Sequence, residues 1–418
     1  MDGRWRLTAV LLANALLRIA NAAGGALVGF YLAWLAVHGR AVDAALLGAL
    51  GVVANGFELV AAVPFGALTD RLSPRFLLVG AALLGGVATQ LFGMTGLVLV
   101  FFFSRALEGV AAAAVGPALL AHLADATHAD VAARGRVMSY FELTVLAGLA
   151  LGTLVAGMGW AAVQTLAFSV VAVVYVLAGG LFYWGTAVSF SHTPPHVPGL
   201  FEGIKQAISR SILRRLAVPW LAANAVAGLW FTHIVFQLTG PRISGQYLVG
   251  RFTAREVGWL SLAYAVLFGA GVVIWGVVLA HISRVRAMRI AFLGMWGTNL
   301  CFYLLNRSEG WSWVVRGGVL VVYAVAIMVQ SGITPAALAY LVDVAGYGAE
   351  RGVAMGIYSF LLGLGTVLGA GFGGVLARDL WLDGLLLGSV VLAVLGYWAT
   401  GLLPQTNVVR GEFSSGEV

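Results

Sequence analysis

Apolar runs, most of eighteen or more residues, recur from one end of the chain to the other, with one long polar block between them. A run of that length is long enough to cross about 30 Å of hydrocarbon as a helix. The runs predict spans at roughly 7–37, 44–68, 76–95, 97–124, 137–159 and 161–184, and then at 216–240, 257–282, 290–305, 313–342, 353–377 and 384–403. Short alternating strands, which a membrane barrel requires, are absent from the pattern. The one long polar stretch runs from Gly185 to Arg215 and carries Pro194, Pro195 and Pro198. It divides the chain into an expected first bundle (1–184), a linker (185–215), a second bundle (216–403) and a tail (404–418). The first run is too long for the apolar core of a signal peptide and reads as a span that stays in place.

Composition agrees with the pattern. Hydrophobic residues make up 61% of the 418 and charged residues 10%, too little charge to cover a soluble surface of this size. The single cysteine, Cys301, lies inside an apolar run, which leaves no disulfide framework and no cysteine-based metal site. The net charge of +7 is spread over short loops and not gathered on one face, so it points to orientation in a bilayer and away from nucleic acid. With twelve spans both termini share one side. On that side the termini and loops hold fifteen Lys and Arg, against six in the opposite loops and three within spans (Arg18, Arg105 and Arg316). The positive-inside bias predicts a multi-pass protein of the cell membrane with both termini in the cytoplasm.

The two halves are related. Leu11-Leu12-Ala13-Asn14-Ala15 recurs as Leu221-Ala222-Ala223-Asn224-Ala225, and Gly66 as Gly276, both 210 residues later. Pro117 and Asp125 recur as Pro335 and Asp343 at an offset of 218. Arg134-Gly135, Met138, Gly148, Gly152 and Gly157 recur as Arg351-Gly352, Met355, Gly365, Gly369 and Gly374 at an offset of 217. The expectation is an all-α membrane protein of two six-helix bundles related by a parallel repeat and a pseudo-two-fold. The glycines of spans 5 and 11 allow close helix approach, whether for packing alone or for a surface where two bundles rock.

The segment Gly66-Ala67-Leu68-Thr69-Asp70-Arg71-Leu72-Ser73-Pro74-Arg75 resembles the signature between spans 2 and 3 of the major facilitator superfamily, with Ser73 in place of its second Gly and Phe76 in place of one basic residue. Arg105-Ala106-Leu107-Glu108-Gly109 resembles the family's span 4 motif. Gly148 to Gly157 is similar to the span 5 motif of the drug:proton antiporter branch, although Thr153 stands where that motif has Pro. The resemblance covers essentially the whole chain. It implies that spans 1, 4, 7 and 10 line a central cavity and that spans 3, 6, 9 and 12 face lipid. The predicted spans 3, 6, 9 and 12 contain no charged residue, an independent agreement.

An ionisable group within the bilayer costs at least about 2.5 kcal/mol on insertion scales, so it needs a partner or a purpose. Five such groups stand out: Arg18, Glu58, Arg105, Glu108 and Glu142. Their repeat counterparts are Gly228, Phe268, Tyr323, Ala326 and Ser359, so the same scaffold is built once without these charges. Arg18 and Glu58 are expected at one depth, about 15 Å from the cytoplasmic end of their spans. Arg105 and Glu108, three apart, share a helix face. A carboxylate in low dielectric holds its proton, and a nearby arginine opposes that, so these groups are candidates for proton coupling. Static buried pairing is the other reading.

Asp70, Arg71 and Arg75 resemble the family's cytoplasmic gate, with Asp125 and Arg134 beside them and Asp343 and Arg351 as the repeat pair. Opposite charges there can latch a mouth that opens during rocking. Asn224, Trp230, His233 and Gln330 are the candidate substrate contacts, on spans that line the cavity in this family; packing is the competing role for each. His122, Asp125 and His128 lack the spacing and the further ligands of a metal centre. No phosphate-binding loop of the Walker type is present, and no cofactor is expected. The functional expectation is a monomeric secondary transporter, with a small-molecule substrate, protons and lipid as its partners. It moves its solute by alternating access, with efflux of amphipathic compounds and uptake of a sugar or other metabolite both open. A polytopic membrane enzyme and a non-transporting sensor are the readings from other classes.

Overall fold

The computed structural model describes residues 3–69, 71–127, 131–186, 211–345 and 349–404. The first half consists of α1 (Gly3–Val37), α2 (Ala44–Thr69), α3 (Pro74–Gly93), α4 (Val98–Ala126), α5 (Val131–Val163) and α6 (Leu166–Gly185). The second half consists of α7 (Ser211–Thr239), α8 (Ala254–Val278), α9 (Arg284–Asn306), α10 (Trp313–Gln330), α11 (Ile333–Ala345) and α12 (Ala349–Thr400). Among the described residues there is no strand, and eleven helices are long and apolar enough to cross a membrane.

The eleven helices make twelve crossings. Residues 356–400 form one apolar stretch of 45, about 68 Å at helical rise and more than twice the hydrocarbon thickness. It reverses at Trp381, which has a φ of 53° and a ψ of −130°. Trp381 is therefore the corner between two crossings. The chain between α5 and α6 turns the same way at Gln164, with a φ of 47°. Among the described residues Gln164 and Trp381 are the two non-glycine positions with positive φ, and they are 217 residues apart, the offset of the repeat. The tenth crossing joins α10 and α11 through a break at Ser331 and Gly332.

Short side chains decide how closely the helices approach. A Cβ at Gly148 would lie 2.6 Å from Arg18 Cβ on α1, and a Cβ at Gly365 would lie 2.6 Å from Asn224 Cβ on α7. Within the halves, Gly148 and Gly152 seat α5 on α1, and Gly365 and Gly369 seat α12 on α7. Between the halves the repeat yields two matching contacts. Gly157 meets Ala254 and Gly258 of α8, and Gly374 meets Ala44 and Gly48 of α2, with 3.0 Å from the Gly374 Cβ position to both Ala44 O and Gly48 Cα. Ala44 and Gly48 are the 210-residue counterparts of Ala254 and Gly258.

These contacts lie near the start of α2 and α8, at the face away from the described N-terminus. Gly29 against Val235 and Gly51 against Thr232 and Ala370 continue the seam on that side. An ion pair between Arg378 and Asp43, 3.9 Å apart, crosses it at the rim. Farther along the same helices, a Cβ at Gly56 or Gly66 of α2, or at Gly269 or Gly276 of α8, would meet nothing within 4 Å. The halves are closed together at this face and part toward the other.

Candidate functional site

The charged groups of the first half converge at mid-depth. Glu58 lies four residues beyond Ala54 and seven beyond Gly51, on the face of α2 that meets the second half farther up. Ala54 is buried and Glu58 is exposed, beside Leu59, which still reaches Gly363 of α12 across the seam. Gly109 of α4 packs against the α2 backbone at Ala54 and Glu58, which fixes the carboxylate beside α4. Arg18, Glu108 and Arg105 all lie within electrostatic reach of it.

Behind Glu58 the groups are closed in. Arg105 and Glu108 form a direct ion pair within α4, with Glu108 only 7% exposed. Arg18 and Glu108 line one small cavity together with Asn21, Ala111, Ala112 and Tyr175. It has room for about one water molecule. The Tyr175 hydroxyl points to Asn21 Oδ1 at 3.5 Å, and the buried Thr89 lies beside Gly24, whose Cβ position is 3.8 Å from Glu108 Oε1. The result is one acid at the gap between the halves and one enclosed acid behind it, with an arginine serving each. Glu142 is on α5, and its side chain lies outside the described residues.

Asn21, Thr89 and Tyr175 were not among the residues singled out from the sequence. They are neutral, and a search for charge inside spans passes over them. The available signal was a polar residue in the middle of spans 3 and 6, which the family plan turns toward lipid.

Of the expected gate residues, four have described side chains. Arg75 donates from Nε to Thr186 O at 2.8 Å and stacks over Tyr183, so it holds the C-terminal end of α6. Arg71 is exposed. Asp343 pairs with Arg284 at 3.1 Å. Asp125 is exposed at the end of α4. Asp70, and the side chains of Arg134 and Arg351, lie outside the described residues. Among the described residues, an ion pair between Asp43 and Arg378 joins the two halves at the face away from the N-terminus.

The expected substrate contacts are dispersed over the second half. Asn224 Nδ2 donates to Trp220 O of its own helix at 2.8 Å. His233 is fully buried, with Nε2 2.9 Å from Ala370 O on α12. Trp230 packs on Phe302 of α9, with ring centroids 5.3 Å apart. Gln330 Nε2 donates to the Tyr264 hydroxyl at 3.2 Å and joins α10 to α8. Among the described residues no group of three or more His, Cys, Asp or Glu is placed to hold a metal ion.

Two repeat-related membrane bundles packed along a glycine seam define a two-bundle membrane transporter fold. The chain belongs to the Major Facilitator Superfamily, a family of secondary transporters, which it matches over residues 15–250 and 227–417. It is 24% identical over 361 residues to the inner membrane transport protein YajR of Escherichia coli (strain K12), covering 84% of this chain and 73% of that protein. It is also 24% identical over 326 residues to Multidrug resistance protein 2 of Bacillus subtilis (strain 168), covering 75% of each. Its fold matches a bacterial homolog of the human lysosomal transporter Spinster, solved inward-facing and unoccupied, with a TM-score of 0.73 at 13% identity over 96% of this chain and 97% of that one. The nucleoside transporter NupG has the same fold, with a TM-score of 0.70 at 12% identity over 94% and 100% of the two chains.

Proposed function

We propose that this protein is a monomeric, proton-driven transporter that expels small amphipathic organic molecules across the cell membrane. The observation that carries the reading is Glu58: a carboxylate at mid-bilayer depth, exposed in the gap between the halves, with Arg18 and the Arg105–Glu108 pair close by. A carboxylate is kept at such a depth only where it has a partner or a task. Its repeat counterpart, Phe268, supports the task reading, because the scaffold forms there without an acid. The positive-inside bias puts the termini in the cytoplasm, so the parted face opens inward and the sealed glycine face lies outside. Export is favoured by the relative whose name denotes multidrug resistance.

In this reading Glu58 takes a proton in one orientation and gives it up in the other, as rocking changes its access to water and its distance from Arg18. Rocking must break the Gly157 and Gly374 contacts and the Asp43–Arg378 pair, and close the gap on the terminal side. The test is reconstitution in proteoliposomes with an amphipathic dye and an imposed pH gradient. Dye should accumulate against its own gradient and leak back when a protonophore collapses the pH difference. Flux that ignores the pH difference removes proton coupling, and a gradient that drives dye the opposite way removes export.

A further inference from the structure

The ionisable groups of the first half handle charge and do not explain how an organic solute is recognised. At the same depth the second half presents rings. Phe268 lies fourteen residues into α8, as Glu58 lies fourteen residues into α2, so the pseudo-two-fold sets a ring opposite the acid. Tyr264, one turn earlier on α8, packs against Phe268 with ring centroids 5.9 Å apart at 30°. Its hydroxyl accepts from Gln330 Nε2 of α10 at 3.2 Å. Deeper in the half, Phe302 bridges Trp230 at 5.3 Å and Tyr323 at 5.7 Å. All five rings are partly exposed.

We infer that Tyr264, Phe268 and Gln330 form the solute-recognition surface, and that the solute class is a planar aromatic amphiphile with a hydrogen-bonding group on its ring system. This rests on the transporter reading above and adds the solute class to it. The argument is one of complementarity. The Tyr264 hydroxyl, already accepting from the buried Gln330, keeps its own hydrogen to donate. The Tyr264–Gln330 bond fixes the direction of both. A flat ring that slides beside Tyr264 and Phe268 gains offset or edge contacts that an aliphatic chain of equal area does not make. The contact between Tyr264 and Phe268 and the bond from Gln330 restrain these side chains, so less order is lost when a rigid plane docks. The arrangement divides the work: first half for the proton, second half for the solute.

The experiment is a binding titration on the purified full-length protein in detergent, independent of any pH gradient. Three probes are used: acridine orange as a planar aromatic cation, Nile red as a planar neutral dye, and dodecyltrimethylammonium as an aliphatic cation. Both planar dyes should bind more tightly than the aliphatic cation. Phe268→Leu should weaken the planar dyes about fivefold and the aliphatic cation by less than twofold. Tyr264→Phe and Gln330→Leu should weaken only dyes that carry a hydrogen-bonding ring substituent, and Tyr264→Phe keeps ring and fold intact. Equal loss for all three probes, tighter binding of the aliphatic cation, or no change in any variant overturns the inference. Binding that behaves as stated, alongside transport indifferent to pH, would instead overturn the proton reading and leave this one standing.

Discussion

The two halves solve the same packing problem with opposite chemistry at the centre. Position 18 of α1 carries an arginine whose Cβ rests on Gly148 of α5. Its counterpart on α7 is Gly228, where a Cβ would lie 2.6 Å from Thr366 Cα, so α7 and α12 leave no room for any side chain. Glu58 faces the gap from α2 where α8 has Phe268, and the Arg105–Glu108 pair of α4 is replaced by Tyr323 and Ala326 in α10. The seam is symmetric: Gly157 on α8 and Gly374 on α2 are copies of one contact. The comparison teaches that the contact surface is shared by both halves while the ionisable centre belongs to one. The second half thus packs in the same way without these charges.

That separation can be broken or sharpened by substitution. The largest effect is expected from Glu108→Leu alone, which leaves Arg105 enclosed without its carboxylate and should cost about 3–5 kcal/mol of stability. Adding Arg105→Leu should recover most of the loss, since the second half shows that the site packs without charge. Thermal unfolding in detergent reads both, and a double variant as weak as the single would mean that the first half needs its ions to fold. Next, Gly228→Val should cost about 1–3 kcal/mol by overpacking against Thr366, whereas Arg18→Ala should remove coupling and keep the melting temperature within a few degrees. Gly374→Val should wedge the sealed face open. Cross-linking between cysteines introduced for Asp43 and Arg378 should then fall several-fold, and unchanged cross-linking would mean that the seam closes elsewhere. Asp43→Asn should have the smallest effect, about 1 kcal/mol or less, because both partners of that 3.9 Å pair are half-exposed or more.

The fold was legible in the sequence because each span is a local property: eighteen or more apolar residues make a crossing wherever they occur. The repeat offsets carried the two-unit plan, and they also held the matching corners at Gln164 and Trp381, which become visible only with backbone angles. The convergence of Arg18, Glu58, Arg105 and Glu108 could be anticipated from depth along each helix, since rise per residue is fixed. Rotation about the helix axis was harder to read. Arg75, expected at a gate, turns to the end of α6, and His233, expected at the cavity, turns into the contact with α12. A side chain's heading depends on which neighbour its helix leans on, and in lipid every face of these helices is apolar, so the sequence carries no amphipathic stripe to reveal it. Neutral polar residues such as Tyr175 and Asn21 escaped for a related reason, since alone they cost little and join a site only through their neighbours.

The central claim is that the first half alone supplies the proton site. Its most direct test compares Glu58→Gln with the change at the repeat position, Phe268→Leu, by initial rates of dye transport in proteoliposomes over a series of imposed pH differences. The account predicts that Glu58→Gln flattens the dependence on pH difference, with at least a tenfold loss of driven uptake and exchange in the absence of a gradient retained. It predicts that Phe268→Leu keeps the slope and shifts only the dye concentration needed. A Glu58→Gln protein that still follows the pH difference with the wild-type slope would contradict it.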